Sequence, residues 1–211
     1  MSHSIPLPAV SRLCSLYQIL GDLESKGVSR LSSGALGEML GVGAPNLRKD
    51  ISYLGESTSV GGGYEISRLR ELISRKLGLN SGRKTCIAGL GRLGSAIMQH
   101  CRTEREFDIK AGFDSNINLI ETMSAPVAVF PSYEMVDVIR GKGIELGILT
   151  VPASGAQECA ENMVKGGIRG IINFTPVVLR MPQEILVRNI DLTGEFRALS
   201  ALMFLNRQSN V

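Results

Sequence analysis

The stretch Thr85-Cys86-Ile87-Ala88-Gly89-Leu90-Gly91-Arg92-Leu93-Gly94-Ser95-Ala96-Ile97-Met98 decides the reading of this 211-residue chain. Thr85–Ala88 is a short apolar run of the kind that forms a buried strand. Gly89, Gly91 and Gly94 make a GxGxxG string, and Ala96, Ile97 and Met98 open a helix after it. The string alone is a weak signal. Between a strand and a helix it has the context it needs: the first glycine makes the turn, the second lets the backbone approach a pyrophosphate, and the third lets helix pack on strand. Helix-start N–H groups then face the anion. Asp114 follows Gly94 by 20 residues, at the end of the next predicted strand. A carboxylate there binds a ribose 2′-hydroxyl and repels a 2′-phosphate, which favours NAD over NADP. A purely structural glycine turn with an ordinary strand-end aspartate is the competing reading, and a CoA-binding domain falls inside the nucleotide-binding one.

Downstream, apolar runs alternate with helical segments. Thr85–Ala88, Ile109–Phe113, Pro126–Val129, Leu146–Val151 and Gly170–Asn173 are the predicted strands. Strand–helix alternation predicts a parallel sheet covered on both faces. The loops Thr150-Val151-Pro152-Ala153 and Asn173-Phe174-Thr175-Pro176 follow two of these strands and are expected at the nicotinamide end of the site. Neither carries an ionisable group. Hydride chemistry needs a proton donor or acceptor nearby, commonly His, Tyr or Lys. The chain has only His3 and His100, one near the terminus and one at the far end of the glycine-led helix. The domain therefore reads as a sensor of cofactor rather than a user of it, and no catalytic residue is assigned.

Upstream of residue 80 the spacing is helical. Val10, Leu13, Leu16, Tyr17, Leu20 and Leu23 recur at threes and fours behind Pro8, with Gly27 as the stop. A second helix is predicted over Ser32–Leu40, with Leu31, Leu36, Met39 and Leu40 inward. After the turn Gly41-Val42-Gly43, a third runs from Ala44 to Leu54. A fourth carries Ile66, Leu69, Leu72, Ile73 and Leu77. Helices two and three resemble a helix-turn-helix. The third sets Asn46, Arg48, Lys49 and Ser52 off its apolar face, where a major groove would meet them. The glycine-rich turn before Tyr64 would be the wing. A helical packing or dimerisation domain with a solvated charged face is the alternative.

Composition narrows the classes further. Hydrophobic residues are 44% and charged residues 20%, a globular balance. Residues 1–77 carry 9 basic and 7 acidic side chains, and the chain as a whole is only +3. Charge alone therefore supports no nucleic-acid claim. Cys14, Cys86, Cys101 and Cys159 lack CxxC spacing, so neither a disulfide framework nor a metal site is expected. No apolar run approaches the ~20 residues of a membrane span. Met1–Ala9 lacks the character of a signal peptide. The expectation is a cytoplasmic chain with reduced thiols and no membrane partner.

The residues together resemble the Rex family of redox-sensing transcriptional repressors over about residues 5–205. Ser32-Ser33 and Leu47-Arg48-Lys49-Asp50-Ile51-Ser52-Tyr53 with Gly55-Glu56 resemble its recognition helix and the start of its wing. Gly61, Gly63 and Tyr64 resemble the wing's end. Gly89–Gly94 with Phe113-Asp114, Leu149–Ala153 with Ala156-Gln157-Glu158, and Gly170–Phe174 with Pro176 resemble its cofactor domain. Arg188–Thr193 resembles the run into its C-terminal helix. The resemblance implies an α/β chain: a winged helix-turn-helix domain over 1–77, a Rossmann-type parallel-sheet domain over 78–191, and a swapped C-terminal helix in 192–211.

It also implies a homodimer that binds a palindromic double-stranded DNA operator when NADH is scarce and is released by NADH better than by NAD+. The implied DNA contacts are Asn46, Arg48, Lys49, Ser52, Tyr53, Gly61, Gly63 and Tyr64. The implied cofactor contacts are Gly89, Leu90, Gly91, Arg92, Leu93, Gly94, Asp114, Thr150, Val151, Pro152 and Phe174. Phe196, Leu199 and Met203 form the stripe expected at the dimer contact, with Arg12 and Asp191 as a charged pair between helix start and DNA domain. An NAD-dependent dehydrogenase and a CoA- or nucleotide-binding regulator without DNA affinity are the competing classes. Five positions depart from the family pattern. Ser59-Val60 stands where a Lys-Arg pair is usual in the wing, Leu54 and Ser57 replace aromatic residues, and Arg92 replaces a neutral residue in the glycine loop.

Overall fold

The computed structural model describes residues 5–56, 59–60, 62–80, 82–101 and 107–208. The chain divides into two compact units, Met1–Ser81 and Gly82–Val211.

In the first unit, helix α1 (Leu7–Ser25) places Pro8 in its first turn and buries Ala9, Leu13, Leu16, Leu20 and Leu23 along one stripe. Strand β1 (Arg30–Leu31) follows. Helix α2 (Ser33–Leu40) is capped by Ser32, whose hydroxyl accepts a hydrogen bond from the Ala35 N–H. Met39, expected inward, is exposed, because the core face of this short helix is taken by Leu36 and Gly37, with Leu40 packed against it at the end. Helix α3 (Ala44–Ser52) carries Pro45 in its first turn and turns Leu47, Asp50 and Ile51 inward. Strands β2 (Ser59–Val60) and β3 (Gly63–Glu65) form a hairpin with Val60 opposite Gly63. The sheet order is β1-β3-β2, all antiparallel. Helix α4 (Ile66–Leu77) closes the core with Ile66, Leu69, Leu72 and Ile73. This is a winged helix-turn-helix: three helices, a short sheet and a closing helix.

The second unit holds β4 (Arg83–Ala88), α5 (Arg92–His100), β5 (Phe107–Asp114), α6 (Ile117–Thr122), β6 (Val129–Pro131), α7 (Met135–Lys142), β7 (Leu146–Leu149), α8 (Ala156–Gly166), β8 (Gly170–Asn173), β9 (Leu186–Asn189) and α9 (Leu192–Gln208). The sheet is parallel throughout, in the order β6-β5-β4-β7-β8-β9. That is the Rossmann order, and its topological switch point lies between β4 and β7. Side chains alternate across β4. Cys86 and Ala88 face α7 and α8, while Ile87 faces the α5 side with Leu90 and Met98. Two expectations need correction. The third strand lies at Val129–Pro131 rather than Pro126–Val129. The segment over Arg188-Asn189, expected only as a run into the last helix, is part of edge strand β9.

Candidate dinucleotide cleft and nucleic-acid interface

The glycine string makes the turn from β4 into α5 as its spacing predicts. Gly89 sits at φ +91°, and a Cβ there would press on the Thr150 backbone, its nearest atom only 2.7 Å away. A Cβ on Gly94 would collide with the Gly89 carbonyl oxygen, so helix and turn approach as only glycine permits. A Cβ on Gly91 meets nothing within 4 Å, because that face is open. These are the three roles a pyrophosphate-binding turn requires. Gly91 caps α5, and Arg92 and Leu93 are exposed in its first turn.

Asp114 ends β5 beside this loop. Its Oδ2 accepts from the Leu90 N–H at 2.7 Å and its Oδ1 from the Asn116 N–H at 2.8 Å. The carboxylate is thereby aimed, with lone pairs left for a ligand. A 320 Å³ cleft runs from Gly89 and Asp114 past Val151 and Pro152 to α8. Ser132, Met135, Glu158, Cys159 and Asn162 line it as well. These extra walls come from separate elements, so no local motif marks them. Only Glu158 among them falls in a stretch, Ala156-Gln157-Glu158, that the sequence marks by its resemblance to the family's cofactor domain.

Thr150 and Phe174 take other positions than the cleft wall. The Thr150 hydroxyl donates to the Gly89 carbonyl at 2.7 Å and so braces the glycine turn from behind. Phe174 is half-buried against the cluster of Ile87, Leu90, Met98 and Ile148. The loop after β8 is held by Asn173, whose side-chain nitrogen donates to the Val177 carbonyl and to Asn189 Oδ1, both at 2.8 Å. Its oxygen accepts from the Thr175 N–H and hydroxyl. A buried polar group is thus fully used in fixing the loop.

On α3, Asn46, Arg48, Lys49 and Ser52 are exposed while Leu47, Asp50 and Ile51 are buried. Arg48 donates to the Ser33 hydroxyl at 2.9 Å, which ties the helix to the start of α2. The Ser52 hydroxyl donates to the Lys49 carbonyl of its own helix. Asn46, Lys49 and Tyr53 share a groove with Pro6, Pro8 and Arg12 at the start of α1. Gly63 and Tyr64 are not on the wing surface as expected. Both are buried, Tyr64 at 7% exposure, because β3 is the central strand of its sheet. Burial also pushes the Tyr64 phenol up from its ordinary value. Gly61 lies outside the described residues.

Arg12 grips Asp50 of α3, and Asp191 caps α9, its Oδ1 accepting from the Gly194 N–H at 2.9 Å. Helix α9 buries none of its large apolar side chains. Phe196 is 74% exposed, and Leu199, Leu202 and Met203 are exposed with it. The alternative of packing on its own domain is therefore not what the structure shows. Among the described residues no helix is long and apolar enough to cross a membrane, and no three His, Cys, Asp or Glu side chains cluster to hold a metal.

Two family models match the chain: "CoA binding domain" over residues 80–177 and "Putative DNA-binding protein N-terminus" over residues 4–52. The chain is 38% identical over 198 residues to the redox-sensing transcriptional repressor Rex of Thermus thermophilus, covering 93% of this chain and 92% of that one. It is 36% identical over 197 residues to the Rex repressor of Pelotomaculum thermopropionicum, covering 93% and 92%. Among solved structures it is similar to RSP, a Rex-family repressor. RSP in complex with NAD+ and operator DNA matches with a TM-score of 0.89 at 30% identity, over 99% of this chain and 96% of that one. RSP in complex with NADH matches with a TM-score of 0.87 at 29% identity, over 99% and 98%. Identity at this level, sustained from the α1 end of the winged helix to the last helix, places the chain in the Rex family of redox-sensing transcriptional repressors.

Proposed function

We propose that the protein is a transcriptional repressor that binds a double-stranded operator as a homodimer and leaves it when NADH accumulates. One observation carries this reading. A relative of the same architecture over 99% of the chain is known with NAD+ and operator DNA, and another structure of it with NADH. The glycine turn and Asp114 are built to the same purpose here. Residues 1–77 are the DNA-binding domain, 78–191 the dinucleotide domain and 192–211 the dimer contact.

When bound, the cofactor supplies a nicotinamide ring that is uncharged in NADH and cationic in NAD+. The chain's own part is to hold it and to respond. Gly91 leaves room for the pyrophosphate, Asp114 takes the ribose hydroxyls, and Arg92 adds a cation at the loop. Arg48, Lys49 and Asn46 on the exposed face of α3 take phosphates and base edges. The bare apolar length of α9, from Phe196 near its start to Leu205, supports a helix that docks on the partner subunit. Desolvating a cationic ring costs more than a neutral one, so a shared apolar contact favours the NADH-bound arrangement. Binding rather than catalysis is supported by relatives named as repressors and by the loops Thr150–Ala153 and Asn173–Pro176, which carry no ionisable group. Binding of an operator supports a cytoplasmic location.

Fluorescence anisotropy with a labelled palindrome from the protein's own upstream region tests this. Tight binding at fixed salt, reversed by NADH far more readily than by NAD+, is expected. Binding indifferent to both nucleotides, or no binding at low salt, would contradict it.

A further inference from the structure

The adenosine end of the cleft carries more chemistry than a ribose-binding carboxylate. Asp114 marks that end, because the ribose it serves is the one whose 2′ position separates NAD from NADP. The cleft is bounded by the loops after β4, β5, β6 and β7 and by one wall of α8, and Phe174 after β8 is not part of it. It therefore belongs to the adenosine half of a dinucleotide site. Met135, Val151 and Cys159 form its apolar lining, a fit for the faces of a planar base.

Glu158 and Asn162 stand one helical turn apart on the same wall. Among the described residues Glu158 makes no ion pair. Its charge reaches into the cleft: the Cys159 thiol is pushed up to about 12, first by burial and then by Glu158. An ionised carboxylate only accepts hydrogen bonds. Adenine presents an amino donor at its 6-position, whereas guanine and hypoxanthine present a carbonyl acceptor there. A carboxylate set on the N7 side of that substituent, away from the N1–H that guanine and hypoxanthine carry, attracts the first and repels the others.

We propose that Glu158 selects the base of the dinucleotide, its carboxylate accepting a hydrogen bond from the 6-amino group of adenine. The inference rests on the dinucleotide-binding reading above. It makes α8 a specificity element for the cofactor, distinct from the glycine turn that holds the phosphates.

The test compares NADH with reduced nicotinamide hypoxanthine dinucleotide, which differs in that one group. Both are titrated into the full chain by nicotinamide fluorescence. The unsubstituted protein is expected to prefer NADH on the order of tenfold. Glu158→Gln, whose amide can turn either a donor or an acceptor to the base, is expected to bring the two within about threefold. Glu158→Ala is expected to close the gap by weakening NADH. Equal binding of both nucleotides by the unsubstituted protein would overturn the proposal, as would full discrimination retained in both variants. Failure of NADH itself to bind would overturn the functional reading and this inference with it.

Discussion

Arg12 on α1 holds both oxygens of the Asp50 carboxylate on α3, Nε donating to Oδ2 at 2.6 Å and Nη2 to Oδ1 at 2.8 Å. The acid is buried, with 4% of its side chain exposed, and the base is at 35%. The two partners are therefore not equivalent. Arg12→Ala strands a buried carboxylate on the helix expected to face DNA phosphates. Asp50→Ala leaves a guanidinium that water can solvate. Arg12→Ala is expected to weaken operator binding and lower the melting temperature more than Asp50→Ala. Anisotropy and thermal melts on the two variants check this, and equal losses would contradict it.

Gly91 and Gly94 sit three residues apart but answer to different constraints. Gly94→Ala drives a methyl into the Gly89 carbonyl and within 2.8 Å of the Thr150 hydroxyl. It should cost the Rossmann unit about 1–3 kcal/mol and its nucleotide binding. Gly91→Ala meets open space. It should melt like the parent yet bind NADH on the order of tenfold more weakly, since the methyl occupies the phosphate approach. Calorimetry on both variants separates stability from binding.

Asp114 is the expected barrier to a 2′-phosphate. Asp114→Ser removes the negative charge and keeps a short polar side chain. NADPH affinity should rise on the order of tenfold while NADH affinity falls. Parallel titrations of the two reduced nucleotides check this. Unchanged NADPH affinity would mean that another group sets the selectivity.

Cys159 lines the cleft but should be inert at neutral pH. Its thiol is raised to about 12, chiefly by burial and further by Glu158. Cys86, in the same apolar cluster, is raised as well, first by burial. Raising a thiol favours the protonated form, so the reactive thiolate is lacking below that value. At pH 8 the thiolate fraction at Cys159 is about one in ten thousand. Its alkylation rate should climb about tenfold per pH unit up to pH 11, as mass spectrometry of iodoacetamide-treated protein will show. A rate that is flat between pH 7 and 9 would contradict this.

Much of the architecture was legible because it is written in local patterns. The Leu13–Leu16–Leu20 stripe, Ser32 as a cap and the glycines after Ala88 each act within a few residues of themselves. What was missed depends on the third dimension. Tyr64 follows three consecutive glycines and so looks like an exposed wing residue, yet its strand is flanked on both edges and its ring falls into the core. The Arg188-Asn189 end of β9 lacks an apolar pattern because it lies on the sheet's outer edge, where only one neighbour need be satisfied. Glu158, Asn162, Met135 and Ser132 meet in one cleft only because helices α7 and α8 and the turn after β6 converge beside the ends of β4 and β5. Thr150 sits beside the glycine turn, but its hydroxyl points at a backbone carbonyl that sequence spacing does not reveal.

The central claim is a coupling between dinucleotide and operator, and coupling is reciprocal. If NADH weakens operator binding by some factor, operator must weaken NADH binding by the same factor. The most direct measurement is therefore the NADH dissociation constant of the full chain, free and saturated with its operator, at one salt concentration. The account predicts a weaker constant on DNA, by the factor found for operator release, and a much smaller change for NAD+. An NADH constant that is identical on and off DNA would contradict it.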